Sequence, residues 1–207
     1  MACKISMWLP FATTAIMVNA SPTPCCKPKQ WEGLVTLGMA NYVHKNDDVS
    51  LTRGTINTTY DYLNMREAQV QDFHVSPPFP YYTVKMTVIK DYKKGMQWEI
   101  IESNKTCTTR KLNSSMSPPC IPANAQFQGT YLLSQTLEVD RWYVDAPAAS
   151  QATVYEVESK TCWPVSETRR STVPDMFRLT SLTFENVTAG IKNPGIFNLP
   201  SYCPPGK

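Results

Sequence analysis

Apolar and polar residues alternate along several stretches of the chain. Between residues 82 and 88 every even-numbered residue is apolar and every odd-numbered residue is polar, and residues 96–100 repeat this pattern. A period of two is typical of a β-strand with one buried and one solvent-facing side. Lys93-Lys94-Gly95 lies between the two stretches and has the composition of a tight turn. The pattern therefore predicts a β-hairpin over residues 82–100.

Other parts of the chain have the same character. Residues 56–60 and 137–144 alternate, and residues 154–157, 162–168 and 175–184 are rich in β-branched and aromatic side chains. No segment carries a sustained helical stripe. The 17 prolines concentrate between the strand-like stretches, where a missing amide proton does not interrupt a β-ladder. Roughly ten short strands separated by turns predict an all-β fold, either a sandwich or a barrel.

The first twenty residues differ in composition from the rest. A charged start precedes a mostly apolar stretch, 5–18, and small residues lead up to Ala20. This order predicts a secretory signal peptide over residues 1–20, cleaved after Ala20, and leaves residues 21–207 as a single β domain. A membrane anchor is the alternative. It is disfavoured because about 20 unbroken apolar residues are needed to span a bilayer and Pro10 interrupts this shorter run.

Cleavage of this leader would remove Cys3 and leave an even set of six cysteines. They are Cys25, Cys26, Cys107, Cys120, Cys162 and Cys203. An even number of cysteines in an exported chain predicts disulfides, here three. A zinc site fits poorly because the sequence has no C-x-x-C pair and its two histidines lack ligand spacing. Adjacent Cys25 and Cys26 cannot reach ordinary disulfide geometry with each other, so each should pair with a distant cysteine.

The charge of the chain argues against nucleic acid as a partner. The formal net charge is +3 and no basic run exceeds two residues, whereas nucleic-acid-binding proteins concentrate cations in a patch. No apolar run after residue 20 approaches membrane length, so we expect no transmembrane segment in the mature chain.

Four N-x-[ST] sequons predict N-glycosylation of an exported protein. Their asparagines are Asn57, Asn104, Asn113 and Asn186.

Motifs for catalysis are missing from the sequence. It contains no G-x-S-x-G elbow, no H-E-x-x-H motif and no phosphate-binding loop. With two histidines in the whole chain, acid–base chemistry would depend on carboxylates, and no clustered pair stands out. We therefore predict that the protein is not an enzyme.

Four landmarks resemble the ependymin-related family. Cys25 is followed by the tetrapeptide QWEG at 30–33, and the tetrapeptide NKTC ends at Cys107. CWPV follows at 162–165, and GIKNP at 190–194 precedes the last cysteine. The landmarks occur in order and span the whole chain after the leader.

The resemblance implies a fold and a disulfide pattern. The fold is all-β, with two curved antiparallel sheets that form a sandwich or half-open barrel around a deep apolar pocket, similar to bacterial lipoprotein-carrier proteins. The implied disulfides are Cys25–Cys162 and Cys107–Cys203, which leaves Cys26–Cys120, outside the vertebrate pattern, for the third bond.

The family is also associated with calcium, with dimerisation and with a secretory or lysosomal location. The resemblance therefore implies a secreted, extracellular protein, with the lysosome as the alternative, that forms a homodimer and is associated with calcium. Asp47, Asp48 and Asp140 are candidate calcium ligands, and solvated loop or strand carboxylates are the alternative interpretation. Apart from calcium, no cofactor is implied.

These observations agree best with a protein that carries a hydrophobic ligand. Ligand pockets are mainly apolar with a few polar anchors and occupy about 300–1,000 Å³, so we expect such a cavity to hold a lipid or fatty-acid-like molecule. The candidate lining residues are Met86, Val88, Trp98, Ile100, Phe177, Leu179, Leu182 and Phe184. An ordinary core position is the alternative for each, because buried apolar side chains are the default. The alternative function is a structural or recognition glycoprotein of the extracellular matrix, mucus or cell surface.

The position of Asn186 in its predicted strand leads to a prediction about the backbone there. Leu182 and Phe184 are apolar and even-numbered, so an unbroken strand would point Asn186 inward as well. A glycan must remain hydrated. A glycosylated Asn186 therefore requires the strand to end or bulge at residues 185–187.

Overall fold

The computed structural model describes residues 22–76 and 81–204. The predicted signal peptide, 1–20, and its cleavage site lie outside the described residues, as do 77–80 and 205–207. The described chain consists of β-strands, turns and three short 3₁₀ segments. No helix in this part of the chain is long and apolar enough to cross a membrane.

Eleven strands form one antiparallel sheet. The strands are β1 (Gln30–Val43), β2 (Asp48–Asp61), β3 (Arg66–Val75), β4 (Tyr82–Asp91), β5 (Met96–Ile101), β6 (Thr106–Lys111), β7 (Gln126–Leu133), β8 (Leu137–Ala146), β9 (Gln151–Glu158), β10 (Pro164–Val173) and β11 (Met176–Ala189). Their order across the sheet is β6-β5-β4-β3-β2-β1-β11-β10-β9-β8-β7. The predicted all-β class is confirmed.

Two meanders, β1–β6 and β7–β11, meet where β1 pairs with β11. The pairing extends from Trp31 opposite Ala189 to Val43 opposite Met176. Because this central pair joins the meanders by hydrogen bonds, the strands form one continuous sheet instead of the two sheets expected. Within the described residues β6 and β7 are the edges and do not pair with each other, so the sheet is open.

The connection between β6 and β7 requires the sheet to curve. Residues 112–125 link the two edges, which in a flat sheet of eleven strands would lie ten spacings, or about 48 Å, apart. At roughly 3.5 Å per residue, this segment covers that distance only when almost fully extended. It is not extended, because the N–H of Ala125 donates to the carbonyl of Pro122 in a turn (2.9 Å). The sheet therefore curves, and residues 112–125, the crossover segment, pass over its inner face.

A different segment of the chain packs on each face of the sheet. On the inner face, Trp31 packs against Met116 of the crossover segment. On the outer face of β3 to β6, Trp98 packs against the C-terminal segment, 190–204. The indole N–H of Trp98 donates to the carbonyl of Pro204 (3.2 Å). Each face therefore has its own apolar core.

Three disulfides in the described part of the chain fasten the covering segments to the sheet. They are Cys25–Cys162, Cys26–Cys120 and Cys107–Cys203, the pairs that the resemblance implies. Cys26 and Cys120 also form an isolated antiparallel bridge, which fastens the crossover segment beside the start of β1. Cys203 fastens the C-terminal segment to β6 through Cys107. In the chain-entropy model, each of these long loops stabilises the fold by on the order of 4–5 kcal/mol.

The predicted hairpin over residues 82–100 is confirmed. β4 and β5 pair on either side of a turn at residues 92–95. Gly95 ends this turn with φ of +64°, a conformation that glycine adopts without a steric penalty.

The bulge predicted at residues 185–187 is also confirmed. The pairing of β11 with β1 shifts between Glu185 and Thr188, so β11 has one residue more than its partner in this interval. Asn186 lies in the bulge with φ of +53° and is exposed. The extra residue therefore turns Asn186 away from the inner face.

Candidate ligand-binding site

The crossover segment is anchored over the middle of the inner face. The hydroxyl of Tyr60 donates to the carbonyl of Ser117 (2.7 Å), and the N–H of Lys27 donates to the carbonyl of Pro119 (3.1 Å). Met116 is buried beside Tyr60. These contacts hold the segment above β1 and β2, and a cavity remains between the segment and the sheet.

The cavity has a volume of about 350 Å³ and an apolar wall on β1, β2 and β11. The wall consists of Trp31, Val35, Ile56, Leu182 and Phe184. Trp31 stacks on Tyr60 with ring centroids 5.6 Å apart and meets Phe184 edge-on at 6.2 Å. Val35 lies opposite Phe184 on one side and Ile56 on the other. The antiparallel register of three adjacent strands therefore builds this wall.

The facing side of the cavity is polar and belongs to β3 and the end of β4. Glu67 accepts hydrogen bonds from the amide of Gln69 (2.6 Å), the hydroxyl of Tyr92 (3.2 Å) and the ammonium of Lys90 (3.3 Å). Burial, together with the adjacent Glu67 carboxylate, raises the pKa of Tyr92. Three donors therefore converge on the Glu67 carboxylate.

A second ion pair lies on β10. The guanidinium of Arg169 donates to the carboxylate of Glu167, and both side chains line the cavity. Burial opposes the charge on Arg169, but the bonded Glu167 carboxylate outweighs it and raises the pKa of Arg169. The guanidinium of Arg169 therefore remains charged.

Lys27 contributes a third cation. Its ammonium nitrogen lies 5.0 Å from the ring centroid of Trp31 and 5.1 Å from that of Tyr60, within the range of a cation–π contact. Burial lowers the pKa of Lys27, and the carboxylates of Glu167 and Glu67 offset part of this effect. The ammonium therefore lies against the apolar wall and faces the cavity from the crossover side.

Two neighbouring spaces extend the cavity along the inner face. One of about 140 Å³ lies beneath residues 118–122 and shares Lys27 and Phe184 with the main cavity. The other, of about 360 Å³, is polar, includes Arg178 in its lining and shares Arg169 with the main cavity. The inner face therefore offers three adjoining spaces, of which the one beside Arg178 is polar and cationic.

Four of the eight predicted lining residues lie on the inner face. Leu182 and Phe184 line the main cavity. Val88 lies opposite Gln69, which also lines the cavity, and Met86 is two residues from Val88 on the same side of β4. Met86 and Val88 therefore lie on the inner face without forming the cavity wall.

The other four lie on the outer face. Trp98 is 2% exposed and packs with Ile100 beneath the C-terminal segment. Phe177 and Leu179 alternate with the inward-facing Leu182 along β11, and Leu179 is 42% exposed. The structure does not bring these four residues to the cavity. They belong to the outer core or to the outer surface.

The polar residues of the cavity were not predicted. Lys27 precedes β1 in a stretch without any periodicity, and Glu67 and Arg169 have the appearance of ordinary solvent-facing strand residues. The part of the wall on β1 could have been predicted, because Trp31 and Val35 are both odd-numbered residues of a strand-like stretch and therefore point to the same face. The cavity itself arises from the pairing of strands that are distant in sequence, and no pattern among neighbouring residues predicts that pairing.

The candidate calcium ligands are not brought together. Asp47 and Asp48 lie where β1 turns into β2. Asp140 is buried on β8, where it accepts hydrogen bonds from the hydroxyls of Thr130 (2.6 Å) and Ser159 (2.8 Å). Among the residues that the structure describes, no group of three or more His, Cys, Asp or Glu is arranged to hold a metal ion.

The four sequon asparagines are all exposed. Asn104 ends the 3₁₀ segment between β5 and β6, and Asn113 lies at the start of the crossover segment. Asn57 and Asn186 are distant in sequence but border the same groove on the outer face. Glycans at Asn57 and Asn186 would therefore lie on the face opposite the inner cavity.

The curved sheet, its disulfide-anchored crossover segment and the space between them define an open all-β protein with a half-enclosed cavity. The chain belongs to the ependymin family: the family's sequence profile, described as Ependymin, matches residues 81–203.

Relatives from animals cover most of the chain. Mammalian ependymin-related protein 1 of Mus musculus is 31% identical over 193 residues, which cover 88% of this chain and 77% of the mouse protein. Ependymin-related protein 2 of Haliotis asinina is 27% identical over 191 residues, which cover 86% of this chain and 89% of the abalone protein. Among solved structures, an uncharacterized conserved protein from Thermus thermophilus is similar with a TM-score of 0.49 and 9% identity, covering 84% of this chain and 87% of that one.

Proposed function

We propose that this protein is a secreted, disulfide-bonded glycoprotein that binds a hydrophobic, lipid or fatty-acid-like ligand in its inner cavity. The observation that carries the proposal is the space of about 350 Å³ between the apolar wall and the crossover segment. This volume lies within the range of small-molecule sites, and the cavity combines an apolar wall with a polar, charged opposite side.

The open space itself favours an occupant. Protein interiors normally pack to crystal-like density, whereas this space stays open between the apolar wall and the crossover segment. Here the disulfide Cys26–Cys120 and the hydrogen bond from Tyr60 to Ser117 hold the crossover segment above the wall. A ligand that covers Leu182 and Phe184, the two half-buried residues of the apolar wall, would remove apolar surface from water and contribute roughly 25 cal/mol per Å².

The carboxylates of the cavity support binding in preference to catalysis. Glu67 is bonded to three donors and Glu167 to Arg169. A general acid or base needs a carboxylate whose proton affinity is matched to its task and that can reach a substrate. Both carboxylates are instead committed to neighbouring side chains, which supports a non-enzymatic role.

Binding of an apolar fluorescent probe tests the proposal with a matched pair of variants on one strand. Leu182→Asp places a charge in the apolar wall, whereas Leu179→Asp places the same charge on the exposed outer side of β11. We expect Leu182→Asp to weaken probe binding by at least about tenfold and Leu179→Asp to leave it unchanged. Val35→Phe fills the cavity without adding charge and should weaken binding in the same direction.

Mass spectrometry of lipids extracted from the purified secreted protein identifies a natural occupant. A stoichiometric lipid in the wild-type extract, lost in Val35→Phe, is the expected result. If the folded wild-type protein carries no lipid and binds no apolar probe, the proposal is wrong. The recognition-glycoprotein function would then be preferred.

A further inference from the structure

The cavity contains one more cation than anion. Its ionisable lining consists of Lys27, Lys90, Arg169, Glu67 and Glu167, apart from tyrosines. Lys90 pairs with Glu67 at 3.3 Å and Arg169 pairs with Glu167. These two pairs leave Lys27 as the excess positive charge.

No carboxylate of the described residues lies within 4.0 Å of the Lys27 ammonium. The chain outside the described ranges, 1–21, 77–80 and 205–207, contains no Asp or Glu that could supply one. The ammonium instead faces the rings of Trp31 and Tyr60 at 5.0 and 5.1 Å. Such contacts contribute about 0.5–2 kcal/mol, which is less than a hydrogen-bonded counter-ion provides to a desolvated charge.

The backbone holds Lys27 in this position. The N–H of Lys27 donates to Pro119 (3.1 Å), and the next-door Cys26 is bonded to Cys120 of the crossover segment. The side chain therefore extends from a fixed point into the space beside the apolar wall. A cation held next to apolar aromatic surface matches a ligand with an anionic end and a hydrocarbon body.

We propose that the ligand is an anionic amphiphile whose carboxylate binds the ammonium of Lys27 while its hydrocarbon chain lies along the wall formed by Trp31 and Phe184. This inference rests on the proposed function, because it specifies the chemistry of the ligand in the same cavity. The carboxylate neutralises the excess charge, and the hydrocarbon chain fills the apolar side. Lys27 is thus the residue that orients the ligand.

Arg178 offers a competing position for an anion and is the useful control. It lines the adjoining polar space, where its guanidinium donates to the amide oxygen of Asn41 (2.7 Å). Arg178 is not in the main cavity, and the lining of its space is mostly polar. We therefore assign the carboxylate to Lys27, which is adjacent to the hydrocarbon wall.

Calorimetric titration with decanoate and with the neutral 1-decanol separates the charge from the hydrocarbon chain. Lys27→Met keeps the length and apolar stem of the side chain and removes its charge. We expect decanoate to bind Lys27→Met about 10- to 100-fold more weakly than wild type, the effect of losing a charged hydrogen bond. Binding of 1-decanol should change less than about threefold, and Lys27→Arg should restore most of the affinity for decanoate. Arg178→Gln should bind decanoate like wild type.

The possible failures are distinguishable. If wild type binds neither molecule, the proposed function itself is wrong. If wild type binds both equally and Lys27→Met changes neither, the hydrophobic site stands and the anionic ligand is wrong. If Arg178→Gln and not Lys27→Met loses decanoate, the assignment to Lys27 is overturned. Thermal unfolding of each variant confirms that any loss of affinity occurs in the folded protein.

Discussion

Arg66 and the fully buried Asp61 form an ion pair at the turn between β2 and β3, with Nε of Arg66 2.8 Å from Oδ2 of Asp61. The carboxylate also accepts hydrogen bonds from the side-chain amides of Gln30 (2.8 Å) and Asn64 (2.9 Å). The guanidinium of Arg66 lies 4.0 Å from the ring centroid of Phe197. One buried carboxylate therefore connects β1 and the β2–β3 turn to the C-terminal segment.

Replacing Asp61 with alanine should strongly destabilise the fold. The change leaves four donors without their acceptor, namely the side chains of Gln30, Asn64 and Arg66 and the backbone N–H of Asn64, and breaking a buried pair from one side typically costs about 3–5 kcal/mol. Urea unfolding measures this free energy. The matched control is Lys85→Ala, which breaks the exposed pair between Lys85 and Asp72 (3.0 Å) and should cost less than about 1 kcal/mol. Equal losses in the two variants would contradict the structural role of Asp61.

Asp61 should also make the protein sensitive to acid. Burial raises the pKa of Asp61, but hydrogen bonds from Asn64, Arg66 and Gln30 outweigh burial, and the net effect is a pKa below the ordinary value of 3.8. The folded state therefore binds this proton less readily than the unfolded state. The stabilisation is complete above the unfolded pKa and is lost as the pH falls through the lower folded value. The difference in unfolding free energy between wild type and Asp61→Asn should narrow as the pH falls below about 4; a constant difference would show that Asp61 does not contribute to this dependence.

The two disulfides that fasten the covering segments provide a matched comparison. Cys26–Cys120 and Cys107–Cys203 span 94 and 96 residues, so the chain-entropy model assigns nearly equal stabilisation to them, about 4–5 kcal/mol each. Replacing either pair with serine should lower the free energy of unfolding by similar amounts. Binding of an apolar probe should fall mainly without Cys26–Cys120, because of these two disulfides only this one fastens the crossover segment over the cavity.

Probe binding by the Cys107→Ser/Cys203→Ser double variant tests this prediction. That variant frees the C-terminal segment on the outer face and should retain probe binding while it remains folded. If both double variants lose the probe equally, binding depends on general stability and not on the crossover segment.

Asn57 and Asn186 should both carry glycans. Each is exposed, and both border one groove on the outer face. Intact-mass measurement of Asn57→Gln and Asn186→Gln should show the loss of one glycan in each. Because Asn57 is exposed, Asn57→Gln should change the free energy of unfolding by no more than about 0.5 kcal/mol. Asn186→Gln should cost about 1 kcal/mol, because Asn186 has a φ of +53° and asparagine adopts this left-handed conformation more readily than glutamine. Equal stability of the two variants would show that the asparagine itself does not support the bulge.

The sequence by itself determined the β-strands and much of their alternation. The period of two in 82–88 and 96–100 identified β4, β5 and the turn between them, and the requirement that a glycan stay hydrated identified the bulge at Asn186. Even the outward direction of Leu179 could be predicted, because it has the opposite parity to Leu182 on the same strand. These properties depend on neighbouring residues along the chain.

Only the tertiary structure decided which side of each strand faces the cavity. Val88 and Trp98 are both even-numbered and apolar, yet Trp98 lies opposite Ile89, so Val88 and Trp98 point to opposite faces of the sheet. The length of the intervening turn sets this register, and a shift of one residue exchanges the two faces. Lys27 became part of the cavity for a similar reason: its position depends on the disulfide beside it and on a crossover segment some ninety residues away in sequence. Contacts between such distant residues form only when the sheet curves, and no local pattern records them.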